Sequence, residues 1–219
     1  MKNLQKIKIH GELALAAVIV LNSLGVVLML YSGSGISAIS SVPYAFSLAL
    51  PFFSLGTWTY IFQGLLVLSL LILQKKLVWP YLFSFIVGFA FGVFVDIHEL
   101  WTALLPRTMA LRIIYFLIGY LLIAFGIALS NRCRMPIIPT DLFPREFSKI
   151  TGLTYAKTKI TFDVTCLAAT ALITLIALKH LSGLGIGTVA AAFTMGKAIS
   201  EIGKLIDRKF YFVSFLDKD

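Results

Sequence analysis

The sequence predicts an all-α polytopic membrane protein, with six transmembrane helices in a 3+3 inverted repeat and short broken helices between them. Three observations carry this expectation. The chain has 219 residues, 59% hydrophobic and 13% charged, with a mean hydropathy of +0.93. Soluble domains hold about 45–50% apolar and about 25% charged residues, so lipid must solvate much of this surface. Six apolar stretches, at about 12–31, 56–74, 78–98, 109–130, 159–179 and 184–206, are each close to the roughly 20 residues that cross a bilayer as a helix. Finally, the chain echoes itself. Gly25, Leu28, Pro43, Phe46 and Ser47 recur as Gly126, Leu129, Pro144, Phe147 and Ser148; Phe62-Gln63 recurs as Phe162-Asp163, and Phe85 and Gly88 as Phe193 and Gly196. Residues 1–105 and 106–219 then form two copies of three spans. An odd number of spans per copy turns the second copy upside down, an architecture that places transport sites at the repeat interface near the bilayer midplane.

The first apolar run, Leu13 to Leu30, follows Lys2, Lys6 and Lys8. It is longer than a signal-peptide core, lacks an A-x-A-like cleavage site, and opens the first copy, so it is expected to stay as a span. The segment from Tyr31 to Leu55 has no charged residue yet carries Gly33, Gly35, Pro43 and Pro51 and several serines. It is too apolar for an exposed loop and too broken for a straight span, which predicts a short re-entrant or interfacial helix packed on protein. Its counterpart, Met135 to Lys149, predicts a short helix capped by Thr140 or Asp141 with Pro144 in its first turn. Two placements fit that helix. It lies in the interface, or its N-terminus, with its partial positive charge, aims into a cavity.

Orientation follows from Lys and Arg. With the N-terminus inside, the inner side takes fifteen of the nineteen, the outer side takes Arg107, Arg112 and Lys179, and Lys197 falls within the last span. The positive-inside rule makes both termini cytoplasmic and the protein a multi-pass protein of the cell membrane. This placement at span ends, with no basic run interleaved with aromatics, also accounts for the net charge of +9 without nucleic acid.

Pro139-Thr140-Asp141, Phe147-Ser148-Lys149-Ile150-Thr151-Gly152-Leu153, and Gly183-Leu184-Gly185-Ile186-Gly187-Thr188-Val189 resemble motifs of the YczE/YyaS/YitT-like bacterial membrane proteins. The likeness is best over about 120–200, while the first half carries Ser-Gly-Ser-Gly-Ile-Ser-Ala at 32–38 in place of the Pro-x-Asp pattern. The resemblance implies a fold of duplicated halves and brings no settled activity.

Among residues able to carry chemistry, Asp163 stands out. A carboxylate inside a span costs about 2.5–3.5 kcal/mol on insertion scales and faces the bundle interior in most membrane proteins. It is expected either to line a central cavity, with its neutral repeat partner Gln63, or to pair with a neighbouring helix through Lys197. Asn22, Thr140 and Asp141 are further candidates for a solute or ion site. Gly185, Gly187 and Thr188 either let the last turn pack closely or offer backbone amides to a substrate; their spacing is not that of a phosphate loop. Lys197 and Glu201, four apart on one face, either pair, snorkel, or line a pathway. Asp96, His98 and Glu99 form either a metal set or a solvated helix end, the second being favoured. Cys133 and Cys166 are placed too far apart to bridge, and Arg132 and Arg134 flank Cys133, which favours its thiolate. No enzyme motif is present, and no cofactor is implied. The function expected is transport of a small solute, an anion being one candidate, by alternating access in the lipid bilayer. The alternative is an accessory or solute-capture subunit of a larger complex, and a homo-oligomer or other membrane partner is compatible with both.

The charge count generates a direct test. In intact cells, Asn3→Cys and Lys76→Cys should be shielded from a membrane-impermeant thiol reagent and Leu104→Cys should react; the reverse pattern overturns the orientation.

Overall fold

The computed structural model describes residues 6–214. Lys2 and Lys218, two of the inner basic residues, lie outside that range. The chain is all-α apart from one small strand pair: β1 (Ile7–His10), α1 (Gly11–Ser32), α2 (Ala38–Ala49), α3 (Leu55–Gln74), α4 (Trp79–Thr102), α5 (Met109–Ser130), α6 (Pro139–Thr151), α7 (Tyr155–Leu178), α8 (Ile186–Lys209) and β2 (Phe210–Val213). The order long, short, long, long thus occurs twice.

Five of the helices, α1, α3, α4, α5 and α7, are long and apolar enough to cross a membrane. The protein is therefore a multi-pass helical protein of membrane type. The stretch expected as a sixth span is also a helix of comparable length, α8, but Lys197, Glu201, Lys204, Asp207, Arg208 and Lys209 keep it below the apolarity of the others.

The ends of these helices follow from local chemistry. Ser54 caps α3 by accepting the Thr57 N–H, and Thr108 caps α5 by accepting the Leu111 N–H. α1 stops at Gly33, whose φ of 67° is left-handed and therefore favours glycine. The expected cap of α6 is corrected: the helix begins earlier, with Ile138 as N-cap and Pro139 at its first position. Proline is at home there because that N–H has no helical partner anyway. Thr140 and Asp141 are consequently first-turn residues rather than caps. Pro144 is the sixth residue of α6, as Pro43 is the sixth of α2.

The α1–α5 crossing is the most extensive helix contact in the molecule. A Cβ on Gly25 would overlap Ile123 and the Gly119 carbonyl, and a Cβ on Gly126 would overlap the Asn22 side chain. In lipid no hydrophobic force drives helices together, so backbone approach at small residues supplies the contact. Around this pair, α4 packs on α1 and α8 on α5, while α2 packs on α7 and α6 on α3. The short helix of each half therefore lies against a long helix of the other. In one such contact the Ser41 and Thr170 hydroxyls meet at 2.7 Å between α2 and α7.

The pairs α3–α4 and α7–α8 pack differently. α3 and α4 pack tightly, with Gly56 set against the Gly92 carbonyl and Gly64 against the Phe85 ring. Among the described residues α7 and α8 share no comparable interface. They are joined only by the 179–185 turn, which docks where the Gly187 N–H donates to the Ser34 carbonyl (2.9 Å) and the Ile36 N–H to the Gly183 carbonyl (3.2 Å). Below this apex α8 follows α5, with the Tyr120 hydroxyl 3.0 Å from that of Thr194. Further along, Arg132 binds both oxygens of Asp207 at 2.6 Å.

β1 and β2 pair in parallel, Ile7 opposite Phe210 through His10 opposite Val213. The pair brings the start of α1 and the end of α8 to one side of the bundle. Phe212 is buried in the core there, with Ile9 and Phe210 packed against it. Cys133 lies in the same layer and is fully buried, with its thiol donating to the Ser130 carbonyl at 3.2 Å. Burial pushes this thiol up, which corrects the expectation that Arg132 and Arg134 would favour the thiolate.

The α1–α5 geometry predicts that Gly126→Leu will lower stability by about 1–3 kcal/mol through overpacking. Gly196→Ala should leave it unchanged, since a Cβ there meets nothing within 4 Å. Thermal unfolding in one detergent checks both; equal effects would refute the crossing.

Candidate functional site

A cavity of about 470 Å³ lies between the two halves. Every helix from α1 to α8 except α4 and α5 sends polar or small groups to it, and those two line it with Phe91, Ile123 and Ile127. Its polar wall is Asn22 on α1, Ser37 and Ser40 at the start of α2, Thr59 and Gln63 on α3, Thr140 and Asp141 at the start of α6, and Tyr155, Lys159 and Asp163 on α7, with Asn131 just past α5.

Helix periodicity explains why these side chains converge. Thr59 and Gln63 are one turn apart on α3, and Tyr155, Lys159 and Asp163 are successive turns of one α7 face. The short helices supply their N-terminal turns: Ser37 to Ser40 from α2, and Ile138, Thr140 and Asp141 from α6. The α6 N-terminal turn thus borders a cavity. Each helix N-terminus carries roughly half a positive charge.

Gln63 is 0% exposed, and neither its amide nitrogen nor its amide oxygen has a hydrogen-bond partner among the described residues. The Oδ1 of buried Asn22 is likewise unpartnered. An unsatisfied buried polar group costs about 1–3 kcal/mol, so three such atoms buried beside the cavity are expensive. Glycines accommodate both amides. A Cβ on Gly88 would overlap the Gln63 Oε1, and one on Gly126 would overlap the Asn22 Oδ1.

Asp163 pairs within its own helix, where the Lys159 Nζ lies 2.6 Å from its Oδ1. The expectation of a pair with Lys197 is corrected: Lys197 is exposed on α8, away from the cavity. Glu201 pairs not with Lys197 but with Lys204, at 2.7 Å. The Asp141 N–H donates to the Ile138 carbonyl at 2.9 Å, while its carboxylate forms no ion pair or hydrogen bond among the described residues. Burial pushes its carboxyl up to about 6; Asp163 acts in the same direction, and Lys159 and Arg145 act against it.

Of the residues singled out from sequence, the structure gathers Asp163, Gln63, Asp141, Thr140 and Asn22 at this cavity. Gly185, Gly187 and Thr188 sit apart from it, at the α7–α8 apex, where their amides and hydroxyl are spent on the turn. Asp96, His98 and Glu99 are also dispersed. Asp96 takes the Gly56 N–H and the Ser54 hydroxyl, both at 2.6 Å, so it caps α3 from α4. His98 accepts from the Trp101 indole at 3.0 Å, and Glu99 lines a separate pocket. Sequence reasoning missed Thr59, Ser37, Ser40, Asn131 and Tyr155, and did not count Lys159, one turn before Asp163, among the site residues. The one-turn spacing of Thr59 from Gln63 was the available signal for Thr59.

Comparison with known proteins adds a lineage. Residues 9–204 match the family described as "Family of unknown function (DUF6198)". The chain is 28% identical over 200 residues to the uncharacterized protein YyaS of Bacillus subtilis (strain 168), covering 88% of this chain and 92% of that one. No solved structure matches.

Asp141 gives a pH test. Its folded-state pKa lies above the ordinary 3.8, so the folded protein holds the proton more tightly than the unfolded chain. Ionisation therefore costs stability: nothing below about pH 4, a growing deficit up to about pH 6, and the full deficit above it. Asp141→Asn should be more stable than wild type at pH 8, by up to about 3 kcal/mol, and the gap should close toward pH 4. A gap independent of pH in thermal melts would refute the assignment.

Proposed function

Since the chain belongs to the DUF6198 family, whose function is unknown, membership carries no activity, and we propose that the protein is a 3+3 inverted-repeat transporter moving a small polar solute by alternating access. Paired β1 and β2 put both ends on one side of the bundle, which requires an even number of crossings. Five apolar helices then need α8 as the sixth. The basic residues collect on that side, so it is the cytoplasmic one. The repeat is supported by contacts that exchange under it: with the spacing that relates Gly25 to Gly126, Asn22 corresponds to Ile123. Gly25 meets Ile123, and Gly126 meets Asn22.

The observation that carries the transport reading is the inequality of two equivalent positions. Gly88 is closed onto Gln63, whereas its counterpart Gly196 has nothing within 4 Å and lines the cavity that Asp163 faces. Related halves in unlike conformations are what alternating access requires. Exchanging them would close α8 on α7, bringing Gly196 toward Asp163, and open α4 from α3. A transported solute would meet a site of near-zero net charge. Lys159 and two helix N-termini contribute positive charge, and Asp141 and Asp163 offset it, which favours a neutral or zwitterionic solute over the anion expected from the basic surface.

One observation favours the alternative of an accessory or solute-capture subunit. Lys197 is exposed midway along α8, where lipid contact is costly and a partner would relieve it.

Nitroxides at Ile160→Cys and Phe193→Cys in reconstituted protein should report two distance populations. A single narrow distance under all conditions would sink alternating access. A stoichiometric copurifying partner, with no solute flux by the protein alone, would support the accessory reading.

A further inference from the structure

The cavity is lined by two aspartates in unlike situations. On α7 the Asp163 Oδ1 lies 2.6 Å from the Lys159 Nζ, so that pair neutralises itself within one helix. Asp141 also lines the cavity and keeps part of its surface open, yet its carboxylate has no ion pair or hydrogen bond among the described residues. The amides of Gln63 and Asn22 differ from it, because their oxygens are closed off against Gly88 and Gly126.

The charged and titratable groups facing this carboxyl are few. From α7 come Lys159, Asp163 and Tyr155, and from α6 itself comes Arg145, one turn on. α3, which packs on α6, has no acidic, basic or histidine residue along its length. α4 donates its Tyr81 hydroxyl to Glu146 at 3.2 Å and carries Asp96, His98 and Glu99 near its other end. Each neighbouring cation has a closer partner: Lys159 has Asp163 at 2.6 Å, and Arg145 has Glu146 at 3.2 Å. Burial disfavours the ionised Asp141 carboxyl, Lys159 offsets this in part, Asp163 adds to it and Arg145 again offsets it, which leaves the group at about 6.

A carboxylate taken from water without a partner is stabilised by a cation that also donates hydrogen bonds. A primary ammonium brings three donors. Thr140 and Thr59, whose hydroxyl oxygens can accept, line the same cavity as Asp141. Phe62, Phe91 and Tyr155 line it too, and aromatic faces attract ammonium groups. An anion would instead be repelled by the unpaired carboxylate.

We infer that Asp141 holds the primary ammonium group of the solute, and that a proton and the ammonium compete for this one carboxylate. The inference rests on the transport reading for movement across the bilayer, but binding itself needs no flux. It gives the solute an amine. In a transport cycle the ammonium leaves the carboxylate as a proton takes its place, so one solute and one proton travel in opposite directions.

The test is calorimetric titration of the full chain, in nanodiscs of zwitterionic lipid, with butylammonium, 4-aminobutyrate, butanol and butyrate. At pH 8 the two ammonium compounds should bind at least about tenfold more tightly than butanol or butyrate, the effect of one charge-assisted hydrogen bond. Their affinity should fall about tenfold from pH 8 to pH 5, because about one carboxyl in ten stays ionised one unit below a pKa of about 6. At pH 5, titrations in buffers of different ionisation enthalpy should show about one proton released per ammonium bound. Tighter binding of 4-aminobutyrate than of butylammonium would mark the solute as a zwitterion, and the reverse order as a simple amine; both support the inference. Asp141→Asn should lose the ammonium preference and the proton release together. Preference retained in that variant would overturn the inference and give the site to Asp163. The wild-type proton count stands even if the variant fails to fold. Equal binding of butanol, affinity independent of pH, or no binding of either ammonium compound would each overturn the inference. None of these results bears on the two distance populations by which alternating access is judged.

Discussion

The whole arrangement rests on how closely α1 and α5 approach. Two helices can cross with backbones nearly touching only where side chains are missing, and Gly25, Gly119 and Gly126 provide that on both partners. Among the described residues the crossing is the only long-helix contact that joins the halves on a large scale. It leaves space on either side, which the short helices α2 and α6 fill by crossing over to the opposite half. Their N-terminal turns end up beside the same crossing, so the cavity is a consequence of it. Asn22 belongs to both features, because its amide oxygen is seated over Gly126 and the residue also borders the cavity.

The seam between α7 and α8 is the place where the two halves stop being alike. Tight packing of α3 on α4 uses Gly56, Gly64, Gly88 and Gly92 as a continuous row of close approaches. α8 retains Gly196 and Gly203, yet Gly203 is occupied by the Arg132 guanidinium. That guanidinium is itself fixed to Asp207. α8 is thus held along α5 and at its upper end by the 179–185 turn, while its α7 side is left without a packing partner among the described residues. A helix packed on one side only is suited to swing a short distance toward α7 without unravelling the fold.

Polar groups in the bundle are costly, and their distribution separates two purposes. Ser23, Thr59 and Thr174 bond to carbonyls one turn back, which satisfies them at once. The amide oxygens of Gln63 and Asn22 have no such local solution, because they need donors and the N–H groups of a mid-helix turn are already spent within the helix. They are left unpartnered against Gly88 and Gly126. Asp163 is intermediate: its partner Lys159 is local, yet both line the same wall.

Much of this was legible in the residues themselves. Apolar length set the long helices to within a few positions, because the hydrocarbon thickness fixes how many residues must be apolar. The charge-free Tyr31–Leu55 segment with its prolines could only be a short helix packed on protein, and Pro43 and Pro144 mark the same step of the two short helices. Asp163, Gln63, Asp141, Thr140 and Asn22 could be chosen because a polar side chain inside an apolar run has no inexpensive place to go except a shared interior. The β1–β2 pair was not legible, since four residues of Ile-Lys-Ile-His gain strand character only when Phe210 to Val213 arrives beside them from the far end of the chain. Nor could sequence assign partners: Lys159 rather than Lys197 for Asp163, Lys204 for Glu201, and the α3 N-terminus for Asp96. Spacing along one helix fixes which groups share a face, but which face meets which neighbour is decided by the packing of all eight helices at once. The unequal seams of the two halves belong to the tertiary structure alone, because nearly equivalent residues, Gly88 and Gly196, are packed in one half and free in the other.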